Sequence, residues 1–247
     1  MAIDMKKMQA KLASLQNNGD KSRSSFWRPQ DGEQVIRIVP TEDGDPFKEY
    51  WFHYNLGDNP GFLSPKKNFG ENCPLDNYVR ELYKQGDEES VKMAKSLSAR
   101  QRFFAPVVVR GEEKQGVRLW GFGKMAYQEL LNLVLNPDYG DITDVNEGTD
   151  LVIKYGKPPG AQFPQTNITP RRKASPLAED DTVIKEYLDG VPDFTSVFDR
   201  KSTDEVQNML DDFIASQLDE GDAEEMSTES AKYGGDSSID KKFEELL

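Results

Sequence analysis

A chain of 247 residues, 36% hydrophobic and 30% charged, is long enough for one core with an appendage, and its mean hydropathy of −0.73 argues against a membrane protein. The formal net charge of −13 is unevenly spread: residues 179–247 hold 21 acidic and 6 basic side chains, a net of −15, while the rest hold 23 and 25, a net of +2. One cysteine, Cys73, excludes an intrachain disulfide, and one histidine, His53, leaves little for metal ligation or acid–base chemistry.

From the N-terminus, MKKMQAKLASLQ spaces Met5, Met8, Leu12 and Leu15 for one helical face, with Lys6, Lys7 and Lys11 elsewhere on the turn. This predicts a short basic amphipathic helix, either a docking arm or a frayed end. It has no apolar h-region of a secretory signal, and no run in the chain approaches the ~20 apolar residues of a bilayer span, so the expected location is cytoplasmic. A polar linker, NNGDKSRSS, completes an arm over 1–25.

The body, 26–218, carries five strand-like runs, EQVIRIVP, FKEYWFHYNL, RFFAPVVV, VRLWGF and TDLVIKY, separated by turn signals such as Asp-Gly and Asn-Pro. Two helical stretches lie among them, Pro74 to about Leu97 with a weak point at Gly86, and Lys124 to Leu135. Pro74 suits a first helical turn, where its missing N–H costs nothing. The fold class this predicts is α+β, mainly β with helices: an OB-fold-like five-stranded barrel core with a helical insert at about 58–97.

Beyond Tyr155 comes a proline-rich span, GKPPGAQFPQTNITPRRKASPL, containing the densest basic cluster, Arg171, Arg172 and Lys173. A helix is predicted from Thr203 to Leu218, started by Ser202 and Glu205 as a capping box. Residues 219–247 are too polar to bury a core and are predicted to be a disordered acidic tail. The tail ends in KKFEELL, where Phe243, Leu246 and Leu247 form either a short docking motif or a chance apolar ending.

Enzyme signatures are weak. GFGKMAY has a Gly-Lys pair but neither the upstream glycine nor the hydroxyl residue of a phosphate-binding loop. There is no G-x-S-x-G elbow, and a single histidine makes a catalytic triad a poor reading. In ENCPLDNY, Asp76 stands where a Cys-Pro-x-Cys half-site would carry its second cysteine. His53, Cys73 and Asp76 leave a closed zinc site one ligand short, so no cofactor is expected, and Cys73 is read instead as a small buried apolar residue.

Basic and aromatic residues, by contrast, recur along the body. In ARQRFFAPVVVR, strand alternation puts Arg100, Arg102 and Phe104 on one face and Gln101, Phe103 and Ala105 on the other. That is either an edge strand with solvated arginines and core rings, or a nucleic-acid surface with cations on phosphates and rings on bases. Arg37, Lys66, Lys67, Arg118, Trp120, Lys124 and Arg171 to Lys173 supply the same chemistry elsewhere, alongside Trp51, Tyr54 and Tyr127. Together they match a single-strand-binding groove, whereas reading of a duplex calls for a recognition helix rich in Arg, Asn and Gln, which neither body helix is. The charge asymmetry fits an acidic tail on a nucleic-acid-binding body, although acidic tails also serve simply to solubilise.

The order of W-x-P-x-D-G-x-x-V-I-R-I-V-P at Trp27–Pro40, CPLDNY, R-Q-R-F-F-A-P-V-V-V, W-G-F-G-K and D-L-V-I-K-Y-G-K resembles the single-stranded DNA-binding, helix-destabilising proteins of T-even-type bacteriophages, from about Met1 to Leu218. The resemblance implies an arm, with Lys6, Lys7 and Lys11, that contacts neighbouring protomers for cooperativity. It also implies an OB-fold cleft for single-stranded DNA, and a tail, with Phe243 to Leu247, that recruits phage replication, recombination and repair proteins in the cytoplasm of the infected bacterial host. The family pattern includes a zinc-binding insert with one histidine and three cysteines. Here His53 and Cys73 remain, while Asp76 replaces one cysteine and Ser64 or a neighbour another. The readings from other classes are an adaptor working through its acidic tail and a metal-dependent nuclease.

Overall fold

The computed structural model describes residues 26–57, 59–198 and 200–221. It is a mixed α+β structure whose described residues fall into two compact units. Unit one extends through Lys48 and resumes over Phe103–Val197; unit two comprises Glu49–Arg102 and resumes at Phe198.

Unit one is built on a mixed sheet of β1 (Phe26–Trp27), β2 (Gly32–Ile38), β5 (Arg100–Val109), β6 (Arg118–Phe122), β7 (Leu151–Gly156) and β8 (Gln165–Pro170), in the order β1-β6-β5-β2-β7-β8. Only β1 is parallel to its neighbour, with Phe26 opposite Leu119; the other pairs are antiparallel, and β2 meets β7 through Ile36↔Leu151 and β5 through Ile38↔Val107. Because β5 is central, both its faces are covered. Phe103, Ala105, Val107 and Val109 enter one core with Trp120, Ile36 and Ile153, while Val108 enters another with Val39, Leu177 and Tyr187. A helix with an apolar face, α4 (Lys124–Val134), lays Ala126 and Leu130 on the larger core. The remaining helices of unit one are α5 (Asp181–Asp189) and the short α6 (Phe194–Val197).

Unit two begins within β3 (Lys48–His53), which pairs with the two-residue β4 (Phe62–Leu63). Three helices follow, α1 (Pro65–Phe69), α2 (Pro74–Gln85) and α3 (Glu88–Leu97), each started by chemistry visible in the sequence. Ser64 caps α1 by accepting from Lys67 N–H, Asp87 caps α3 by accepting from Ser90 N–H, and Pro65 and Pro74 sit in first turns. The predicted weak point is a helix end: Gly86 closes α2 at φ 76°, a left-handed conformation that costs glycine little. The last helix, α7 (Thr203–Gly221), brings Val206 and Leu210 into a core with Leu75, Val79, Leu82, Ala94 and Leu97. Unit two is thus larger than the insert expected at 58–97. Its capping box is formed as predicted: Glu205 accepts from Ser202 N–H at 2.8 Å and Ser202 Oγ from Glu205 N–H at 3.3 Å.

Candidate nucleic-acid interface

The cations singled out in the sequence divide into two kinds. Arg37 is fully buried, so its expected place on a DNA surface is corrected to an internal one. Its guanidinium meets Asp150 Oδ1 at 3.2 Å, donates to Asp144 O at 3.2 Å, and also donates to the Ser175 carbonyl. Burial pulls its pKa below the ordinary guanidinium value, and Asp150 opposes that shift. Arg110 completes the clamp. It holds Asp150 Oδ1 at 2.9 Å and donates to the carbonyls of Pro176 and Leu177, each at 2.8 Å. Arg118 is likewise nearly buried, bound to Glu112 at 2.6 Å and Gln115 at 2.8 Å.

This clamp fixes the segment that carries the basic cluster. Backbone bonds from Arg171 N–H to Asp150 O, Ser175 N–H to Gly148 O and Leu177 N–H to Val145 O tie both ends of 171–177 to the rest of unit one, while Arg171, Arg172 and Lys173 are exposed between them. Gly148 is needed for close approach: a Cβ there would stand 2.4 Å from Asp144 O and 2.8 Å from Arg37 Nη2. Lys124 is also exposed. It opens α4, whose N-cap Gly123 offers no side-chain cap and whose first turn has no acid, so this helix end is positive.

The rings are placed differently from expectation. Phe103 at 2%, Phe104 at 0% and Trp120 at 1% exposure are core residues, which corrects their assignment to a base-stacking surface. Phe103 stacks on Tyr127 with centroids 4.0 Å apart and rings 17° from parallel, and Trp120 meets Trp27 edge-on at 5.8 Å. Alternation along β5 misled because a central strand buries both faces; exposure ends at Arg102. Tyr127, the other ring of that stack, is half-exposed and so is better placed for a ligand than Phe103.

In unit two, Lys66 and Lys67 are exposed on α1. Lys67 Nζ lies 5.3 Å from the centroid of the Trp51 ring, a cation–π distance, and Asn68 grips both backbone groups of Trp51 at 2.9 and 2.7 Å. Trp51 therefore pairs a half-exposed ring with a long-stemmed cation on a fixed backbone, and it belongs with the candidate site. Arg100 and Arg102 are half-exposed at the start of β5; Arg100 donates to Lys95 O at 3.2 Å, and Gln101 between them bonds Glu49.

Unit two also buries a titratable cluster. His53 Nδ1 donates to Leu97 O at 2.9 Å, and its Nε2 lies 3.4 Å from Asp76 Oδ2 and 3.7 Å from Cys73 Sγ. Burial alone would lower the His53 pKa, but the hydrogen bonds of Asp76 and Cys73, the Asp76 charge and the Leu97 carbonyl raise it to about 9. Burial works against Asp76 ionising, yet bonds from His53 and Ser64 hold it below its ordinary range.

Each unit by itself carries exposed cations and a half-exposed ring, the side-chain types that receive phosphates and unpaired bases. Residues 30–215 match the family described as gp32 DNA binding protein like. The chain belongs to that family. This agrees with the resemblance drawn from the motifs and supports single-stranded DNA as the ligand of the gp32-like domain. Comparison with curated proteins gives no match. Among the described residues of this gp32-like chain, no helix is long and apolar enough to cross a membrane. The arm residues Lys6, Lys7 and Lys11 and the tail residues Phe243, Leu246 and Leu247 lie outside the described residues.

Proposed function

We propose that this protein is a non-enzymatic, sequence-tolerant, cooperative single-stranded DNA-binding protein that coats and protects exposed strands in phage DNA replication, recombination and repair. The observation that carries the reading is the family match over residues 30–215. In this reading an OB-fold-like barrel in unit one holds the strand, and Lys124 and Arg171 to Lys173 neutralise phosphates. Lys66, Lys67, Arg100 and Arg102 do the same on unit two, and Trp51 and Tyr127 accept bases at roughly 1–3 kcal/mol per stack. The arm, through Lys6, Lys7 and Lys11, contacts the neighbouring protomer; the acidic tail recruits replication and recombination proteins through Phe243, Leu246 and Leu247.

Binding only the single-stranded form shifts the duplex equilibrium by mass action, so helix destabilisation needs no energy source. The test is fluorescence anisotropy of a labelled oligo-dT at two salt concentrations, against a duplex of equal length. Tight, salt-sensitive binding to the single strand with little to the duplex is expected. No binding at low salt would sink the reading and turn attention to the tail as a protein-recruiting element.

A further inference from the structure

The family resemblance implies zinc in the insert, and the residues at hand allow a direct test of fit. Four side chains converge in unit two: His53 from β3, Ser64 at the head of α1, and Cys73 and Asp76 from the start of α2. A closed structural zinc takes four ligands arranged tetrahedrally, drawn from thiolate, imidazole and carboxylate. This cluster offers one of each and no fourth. Ser64 supplies a neutral hydroxyl whose capacities are used by the protein: Oγ donates to Asp76 Oδ2 at 3.1 Å and accepts from Lys67 N–H at 3.2 Å. His53 reaches the Leu97 carbonyl with one nitrogen and Asp76 with the other. The donor set does not fit a closed zinc centre.

We propose that unit two has replaced the zinc with a metal-free network, in which the His53–Asp76 contact and the Ser64 hydroxyl join the elements a metal would join. The connections run from β3 through His53 to α2 through Asp76 and to the end of α3 through Leu97, with Ser64 adding the β4–α1 junction. His53 Nε2 and Asp76 Oδ2 face each other at 3.4 Å, so imidazole and carboxylate meet directly where a metal would otherwise stand between them. Asp76 also lies in the first turn of α2, where a negative charge is favoured by the helix dipole. Ser64, fully buried, donates to the same Asp76 oxygen that faces His53, so the hydroxyl and the imidazole share one acceptor. Cys73 then needs no metal and packs among Leu75, Val79 and Leu97 as a small apolar side chain.

The experiment uses the full chain purified from zinc-supplemented medium, with metal content read by elemental mass spectrometry and melting followed with excess zinc or excess chelator. Far less than one zinc per chain, and the same melting temperature in both conditions, is the expected result. One zinc per chain with melting lowered by chelator overturns the proposal. A second arm uses the double substitution Ser64→Cys with Asp76→Cys, which supplies two further thiols beside His53 and Cys73. This variant is expected to bind one zinc and to melt earlier in chelator; a folded variant that takes up no zinc refutes the placement of the four positions as one site. If the variant does not fold, the wild-type arm still decides. Neither readout depends on DNA binding, so the outcome stands apart from the test of proposed function.

Discussion

Asp150→Asn separates the arginines that build unit one from those that meet a ligand. Asp150 Oδ1 receives Arg37 Nη1 at 3.2 Å and Arg110 Nη2 at 2.9 Å, and Arg110 Nε lies 3.2 Å from both carboxylate oxygens. The amide keeps the shape and removes the charge, leaving a fully buried guanidinium and a second, partly buried one without their counter-ion. Removing one partner of a buried pair costs about 3–5 kcal/mol, and Asp150→Asn should fall in that range. The assay is urea unfolding followed by tryptophan fluorescence in a Trp51→Phe background, so that the Trp27–Trp120 pair reports on unit one. Alanine at Arg171, Arg172 and Lys173 together should leave that transition almost unmoved, because exposed substitutions stay within about 0.5 kcal/mol each. It should instead weaken oligo-dT binding and flatten the log-affinity against log-salt slope by roughly 0.7 for each phosphate no longer neutralised. A loss of under about 1 kcal/mol for Asp150→Asn would refute the argument that the carboxylate compensates buried charge.

Gly148→Ala must push a Cβ against two backbone carbonyls and Arg37, and overpacking of this kind costs about 1–3 kcal/mol in the same unfolding assay. In unit two, Leu210→Ala should cost about 2–5 kcal/mol through the cavity left between α7 and its core, and Ser202→Ala about 1 kcal/mol through removal of the cap; calorimetric melting of the variants checks both. The His53 cluster predicts a pH dependence. Because the folded pKa of His53 is raised to about 9, its contribution is complete below the ordinary value of 6.5 and disappears as pH climbs through about 9. Asp76, depressed in the folded state, contributes above its ordinary 3.8 and loses that contribution as pH falls through its lower folded value. Melting of unit two should therefore decline between pH 6.5 and about 9, and Asp76→Asn should remove most of that slope.

What could be read in advance was local chemistry. The break at Gly86, the proline start of α2 and the Ser202–Glu205 box depend on neighbours within a few residues, and β2, β3, β5, β6 and β7 coincide with apolar runs. Strand β8 is not legible in the sequence because its alternating exposed residues and the prolines at and just before its ends, Pro164 and Pro170, resemble a loop, although it pairs with β7 along its whole length. The roles of Arg37 and Phe104 were hidden for another reason. Asp150 lies 113 residues from Arg37, and nothing local in VIRIV tells a buried guanidinium from an exposed one, except that its neighbours are all apolar. A strand covered on both faces gives no alternation to read, so rings on β5 looked available when they were not.

The return of the chain at Phe198 bears on how the protein is made. A ribosome releases the described residues of unit one by Val197, including all of β1 to β8 except the stretch given to unit two. The core of unit two, however, needs Val206 and Leu210, which emerge more than a hundred residues after Leu97. During synthesis at about 5–20 residues per second, Leu75, Val79 and Leu82 wait for several seconds without their last partner. Unit one can close while translation continues, whereas unit two matures only once Val206 and Leu210 have emerged. A released fragment ending at Ser202 should thus be protected from protease over 103–197 and cleaved readily between Pro74 and Leu97.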